Sequence, residues 1–206
     1  MRKNKRLDQD TAAKIMAAAR DEFAHYGFDG ARVDRIAARA KVNKAMIYYH
    51  YRSKKKLYHA VIQNHLRRIR EFFESSLDAD PNPETILPQI VDFWDAMFSD
   101  CKEFIPIFLR ELAGGGEIIK EAFAAMMKES GFNKVLKQRI DAGIASGFLR
   151  PIDSTQAIIS FIGMNLFYYM SRPIMQAVWE IKDENEFREK RKKEVVDLFL
   201  YGLKAR

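Results

Sequence analysis

The chain has 206 residues, 48% of them hydrophobic and 31% charged, which allows one large domain, or a small one beside a medium one, with ample apolar material for a core. Cys101 is the only cysteine, so a disulfide framework or a cysteine-rich zinc site within one chain is excluded; no run of about 18 apolar residues reads as a membrane span, and MRKNKRLDQD lacks the apolar core of a signal peptide. The net charge of +7 is uneven: residues 1–70 carry 18 Lys+Arg against 6 Asp+Glu and the rest 17 against 22, so a basic head joins a mildly acidic body, a pattern suited to a polyanionic partner or, more plainly, to a solvated cationic surface.

Residues 1–7 form a basic arm with Arg2, Lys3, Lys5 and Arg6, which either reaches phosphates and the minor groove or stays a solubilising tail. Asp8 or Asp10 is expected to cap a first helix with a core stripe of Ile15, Ala19, Phe23 and Tyr26, and Gly27 ends it. Residues 28–31 make a turn. Arg32 follows at a position suited to contact with a phosphate or base edge, or to a surface ion pair with Asp29.

The stretch VDRIAARAKVNKAMIYYHYRSKKKL, residues 33–57, then reads as two short helices, a tight turn and the start of another helix. Val33, Ile36, Ala37 and Ala40 give the first helix one apolar face. Lys41-Val42-Asn43 is the turn, and Asn43 can cap the next helix by accepting an orphan backbone N–H. In that helix Ile47 and Tyr51 share the inner face. Ala45, Tyr48 and Tyr49 point away, flanked by Lys44, Met46 and His50, and Arg52, Lys54, Lys55 and Lys56 follow at once. Phenol hydroxyls, an imidazole and ammonium groups donate to phosphate oxygens, and a small Ala45 lets the backbone approach a groove wall. A helix-turn-helix needs these features. Ser53 caps the next helix and places Lys54 near a helix N-terminus, where backbone N–H groups favour a phosphate.

These residues resemble the TetR-type transcriptional regulators, whose pattern is IA-x-x-AGVS-x-G-x-(I/L)-Y-x-(H/Y)F-x-SK-x-x-L. The chain keeps Ile36, Ala37, Ala40, Val42, Ile47, Tyr48, His50, Ser53, Lys54 and Leu57. It departs at Lys41 (glycine in the family), Asn43 (often serine), Ala45 (often glycine) and Tyr51 (often phenylalanine). Lys41 is the departure with a cost, about 1 kcal/mol or more if the turn requires positive φ. The resemblance covers about the first quarter of the chain. It implies an all-α fold: a three-helix DNA-binding domain over residues 1–56 and a helical effector-binding and dimerisation domain over 57–206. DNA contacts are expected from Arg32, Lys44, Ala45, Tyr48, Tyr49, His50 and Lys54.

Leu57, Val61, Leu66, Ile69, Phe72 and Phe73 make the fourth helix amphipathic to about Leu77, and residues 78–83 mark a boundary. Beyond it, helices are expected at about 83–100, 102–113, 117–129, 132–146, 153–171 and 186–204. Pro83 suits a first turn; Pro88 and Pro106 fall early in their helices or kink them. Gly147 and Pro151 interrupt, Asp153 caps, and Arg172-Pro173 ends the helix that follows.

Aromatic and methionine residues crowd this half. Most are core, but such side chains also line adaptable apolar cavities. The resemblance implies a small-molecule pocket, for which Phe93, Phe104, Phe108, Phe123, Phe167 and Tyr168 are the candidates, with a small apolar or aromatic effector. The segments ISFIGMNLFYYM and VVDLFLYGL are apolar on more than one face and need cover. A second subunit supplies it in TetR-type homodimers, and Gly163 would permit close approach. Two-fold symmetry then spaces the recognition helices about 34–36 Å apart, or somewhat more, along a palindromic operator.

No cofactor, metal ligand set or catalytic group is expected. The histidines, His25, His50, His59 and His65, show no HExxH-type spacing, Gly114-Gly115-Gly116 lacks the Lys-Ser/Thr of a phosphate loop, and Ser130-Gly131 and Ser146-Gly147 are helix ends. His65 could face a ligand; packing is the plainer reading. The sequence thus leads to a cytoplasmic, ligand-responsive repressor, with an effector-independent DNA-binding dimer and a small helical enzyme as alternatives.

Overall fold

The computed structural model of the chain describes residues 2–77, 82–100 and 103–203. Among them it is built from ten helices and no strand: α1 (Arg2–Gly30), α2 (Val33–Ala40), α3 (Lys44–Tyr51), α4 (Lys54–Leu77), α5 (Pro83–Asp100), α6 (Phe104–Ala113), α7 (Glu117–Ser130), α8 (Phe132–Ala145), α9 (Ser154–Val178) and α10 (Glu184–Leu203). This is the expected all-α class. Most of the expected boundary at 78–83, and Cys101, lie outside the described residues. The helices sort into two compact units, Met1–Ile69 with Cys101–Met126, and Arg70–Asp100 with Met127–Arg206.

In the first unit α1 starts at Arg2, so neither Asp8 nor Asp10 caps it and the arm backbone is helical. Asp10 instead pairs with Lys14 at 2.6 Å, one turn on. The side chains of Arg2, Lys3, Lys5 and Arg6 lie outside the described residues. Ile15, Ala19 and Phe23 are fully buried, as the core stripe requires, but Tyr26 is 51% exposed. Its ring carries the Arg35 guanidinium at 4.1 Å instead of packing inward. Gly27 breaks the helix at φ 67° and ψ −177°, in a region that costs a residue with a β-carbon.

Arg110 of α6 holds the turn of α1 that precedes this kink. Its guanidinium donates to the carbonyls of Phe23, Ala24 and His25, in the last turn before the break. A β-carbon on Gly27 would meet the Arg110 Cδ at 3.3 Å. The next residue, Glu111, accepts a hydrogen bond of 2.8 Å from the Tyr58 hydroxyl of α4. The same tyrosine ring meets Phe23 edge-on at 4.8 Å. Two consecutive α6 residues thus hold α1 and α4.

The second unit packs α5 against α9 and α10, and α8 against α9. Trp94, Met97 and Phe98 of α5 are buried, as are Phe161, Tyr168 and Tyr169 of α9 and Val195, Leu200 and Leu203 of α10. Asp95 ties the three helices. It takes two bonds from Arg188, at 2.7 and 2.6 Å, and one from the Tyr169 hydroxyl at 2.5 Å. Burial alone would raise this carboxyl, yet those donors hold it below the usual carboxylate range. Asp153 caps α9 as expected, accepting from the Gln156 N–H at 2.9 Å.

Pro173 does not end α9, which runs on to Val178. Proline removes one donor and crowds the preceding turn, costs that a packed helix can absorb. α9 and α10 leave large apolar side chains uncovered. Ile159, Phe167, Ile174 and Val178 recur at close to helical spacing on α9 with Ile162 at the flank, and Leu198 and Tyr201 are exposed on α10. A Cβ on Gly163, within that stripe, would meet nothing within 4 Å.

Candidate nucleic-acid interface

The turn between α2 and α3 forms with the expected parts. Lys41 takes the left-handed conformation, φ 55° and ψ 44°, and ends α2 through its own N–H to Ala38 and that of Val42 to Ala37. The Asn43 side chain accepts from the Ala45 N–H at 2.8 Å and caps α3. Ile47 is 1% exposed and anchors α3, and the Tyr51 hydroxyl reaches the Ala12 carbonyl at 3.2 Å. The opposite face is left to solvent: Tyr48 is 41% and Tyr49 60% exposed, with Ala45 exposed beside them. At the start of α4, Ser53 accepts from the Lys56 N–H at 3.1 Å, the expected cap.

The polar flanks are less free than their sequence suggests. Lys44 is paired with Asp34 of α2 at 2.8 Å, and the carboxylate's hydrogen bond raises the lysine's pKa. Lys54 donates to the Asp29 carbonyl at 3.2 Å and lies 4.9 Å from the centre of the Phe28 ring. His50 is turned inward. Its side chain is 10% exposed, with Nε2 3.5 Å from Asp8 of α1 and the ring edge-on to Tyr49 at 5.1 Å. Arg32 is exposed and offers no side-chain cap to α2. Its backbone N–H donates to Glu22 at 2.9 Å.

Glu22 is the residue sequence reasoning missed. At 1% exposure it is a buried carboxylate, and it also accepts from the Arg35 Nε at 2.6 Å. Arg35 in turn donates to the Gly30 carbonyl at 2.7 Å. The group pins the α1–α2 corner that carries Arg32. A carboxylate on the otherwise apolar side of α1 was the only signal for it, because its partners lie 10 and 13 residues away.

The six pocket candidates divide between the two units. Phe104, Phe108 and Phe123 belong to the first unit, Phe93, Phe167 and Tyr168 to the second. Phe104 is buried against His65, ring centres 4.6 Å apart. Phe93 stacks on Phe72 at 3.9 Å. Phe167, 62% exposed, is part of the uncovered α9 stripe, because it is turned about 100° from the buried Tyr168 that follows it. Tyr168 is buried, with the Arg191 guanidinium 5.2 Å from its ring centre and no hydrogen-bond partner for its hydroxyl among the described residues. A groove of about 520 Å³ in the second unit is lined by charged residues of α5 and α10, including Asp92, Glu189, Lys192 and Lys193, and by none of the six. Among the described residues no cluster of histidine, cysteine and carboxylate side chains has the makings of a metal site, and no helix is long and apolar enough to cross a membrane.

A short helix crossed by a second one that bares tyrosines between cationic flanks defines the class: a helix-turn-helix DNA-binding protein. Comparison with known proteins narrows it. The profile of the bacterial regulatory proteins of the tetR family matches residues 15–61. The transcriptional repressor NicS of Pseudomonas putida is 32% identical over 165 residues, 79% of this chain and 77% of that protein. The transcriptional regulator RutR of Escherichia coli O157:H7 is 28% identical over 80% of this chain and 76% of its own length. The fold is shared with FadR from Bacillus subtilis, a transcriptional regulator solved in complex with stearoyl-CoA, with a TM-score of 0.72 over 93% of this chain and 98% of that one, at 17% identity. The chain belongs to the TetR family of DNA-binding transcriptional regulators.

Proposed function

We propose that the protein is a homodimeric repressor that holds a palindromic operator through residues 1–56 and is released by a small, largely apolar effector bound within residues 57–206. The observation that carries the reading is the outer face of α3, where Tyr48 and Tyr49 stand exposed while Ile47 anchors the helix beneath them. Tyr48, Tyr49, Lys44 and Lys54 contact the DNA backbone, and Ala45 and Arg32 reach base edges. His50, facing Asp8, braces the Tyr49 ring instead of reaching phosphate directly. Lys44 must exchange Asp34 for a phosphate on binding. The uncovered stripe of α9 with Leu198 and Tyr201 of α10 forms the dimer contact, and two-fold symmetry presents two recognition helices to successive major grooves.

Aromatic side chains contact the effector, either Phe104, Phe108 and Phe123 of the first unit or Phe93 and Tyr168 of the second, the latter with the unpartnered Tyr168 hydroxyl as a polar anchor. Release follows if the effector prefers the state in which the paired heads fall out of register. The grip of Arg110 and Glu111 on α1 and α4 makes α6 the element through which that preference reaches the head. Gel retardation on the DNA upstream of the gene tests the DNA reading. Tyr49→Ala should weaken retardation without changing the dimer, and an unchanged shift removes Tyr49 from the interface. Thermal-shift titration with apolar small molecules, long-chain acyl thioesters included, tests the effector reading; a transition that no compound raises counts against it.

A further inference from the structure

Arg52, between α3 and α4, has a backbone that L-residues avoid, φ 65° and ψ −37°. The Ser53 N–H donates to the Tyr51 carbonyl at 2.7 Å across it, a three-residue γ-turn of the rare, strained hand. The Arg52 N–H meanwhile closes α3 on the Tyr48 carbonyl at 2.9 Å. Both neighbours are committed. Tyr51 is tied to Ala12, and Ser53 caps α4. The turn is therefore held from both sides, and the strain falls on a residue whose side chain is exposed and has no hydrogen bond or ion pair among the described residues. Glycine would serve this backbone better. A strained, exposed, unpaired arginine beside a recognition helix points to use of its charge.

The surrounding cations sharpen the point. Lys44 is already neutralised by Asp34, and Arg35 and Arg39 are paired with Glu22 and Asp21. A cation that leaves a carboxylate for a phosphate displaces fewer counterions from DNA than one that arrives unpaired, because it uncovers a negative charge of its own. Arg52 arrives unpaired. It sits where the end of α3 meets the capped start of α4, the place a backbone phosphate would occupy if the Tyr48–Tyr49 face lies in the groove.

We propose that Arg52 is a DNA-backbone contact, a guanidinium held out by the γ-turn to grip a phosphodiester beside the recognition helix. The proposal rests on the DNA-binding reading above. Its test is fluorescence anisotropy with a labelled mixed-sequence duplex, long enough for two successive major grooves, across a series of salt concentrations. Arg52→Gly removes the charge and relieves the backbone; Arg52→Gln removes the charge and keeps the β-carbon; Arg52→Lys keeps the charge. The expected result is that both neutral variants bind more weakly and flatten the plot of log affinity against log salt by about two, one phosphate contact from each subunit. Arg52→Lys should retain the parent slope, and Arg52→Gly should melt no lower than the parent, so that its weaker binding is not a folding defect. Parent slopes in both neutral variants would overturn the proposal while leaving the DNA reading intact. A parent chain that ignores the duplex even at low salt would overturn both.

Discussion

Lys41 stands at φ 55°, where the family pattern has glycine and where a β-carbon is a cost. Lys41→Gly should stabilise the protein by about 1 kcal/mol, read as a higher urea midpoint with an unchanged slope. An unchanged or lower midpoint would mean that the lysine makes up the cost elsewhere. His65 is the opposite case, a residue whose environment opposes its charge. It is 3% exposed, and burial, aided by the Arg20 and Arg68 charges, lowers its pKa from the ordinary 6.5 to about 4. The unfolded imidazole takes up a proton first as the pH falls. Its contribution is therefore fully present above about pH 6.5 and is lost progressively towards pH 4, by up to about 3 kcal/mol. His65→Phe should flatten the loss of stability across that window. The same decline in variant and parent would rule His65 out as its source.

At the scale of elements, α6 closes the end of α1. Arg110 supplies donors to three carbonyls of the last turn before Gly27. Arg110→Ala leaves those acceptors to water or to nothing and should cost about 1–3 kcal/mol. Arg110→Lys, with a single donor centre in place of the guanidinium fork, should recover only part. Urea denaturation of the three proteins checks this, and a neutral alanine variant would show that water replaces the arginine fully. The Asp95 site acts similarly on α5, α9 and α10. Because the carboxyl is held below its ordinary value, its stabilisation is present at neutral pH and disappears as the pH falls through the acid range below 3.8.

For the whole molecule, the uncovered apolar side chains of α9 and α10 are the largest departure from a self-sufficient chain. Ile159, Phe167, Ile174 and Val178 are each more than half exposed, as are Leu198 and Tyr201. Exposed apolar area of this extent along one face marks an interaction surface. Phe167→Glu places a charge in the middle of it and should turn the proposed dimer into a monomer in sedimentation velocity at micromolar concentration. It should weaken binding to a palindromic duplex far more than to a half-site. A variant that sediments as the parent does would rule out α9 as the proposed dimer contact.

Local chemistry was legible in the sequence because its causes lie within about one helical turn. The apolar spacing of Val33, Ile36, Ala37 and Ala40, the caps at Asn43, Ser53 and Asp153, and the break at Gly27 all appear where they were read. So does the exposure of Tyr48 and Tyr49, which follows from Ile47 facing inward. Tertiary structure alone decided what depends on partners tens of residues away. It placed α6 in the same compact unit as the head, through Arg110 and Glu111, and it tied Lys44 to Asp34 and turned His50 towards Asp8. It carried α9 past Pro173, where packing outweighs one lost donor, and it turned Phe167 outward while burying Tyr168. A side chain's type and period state what it can do; which neighbour it meets is settled only when the helices pack.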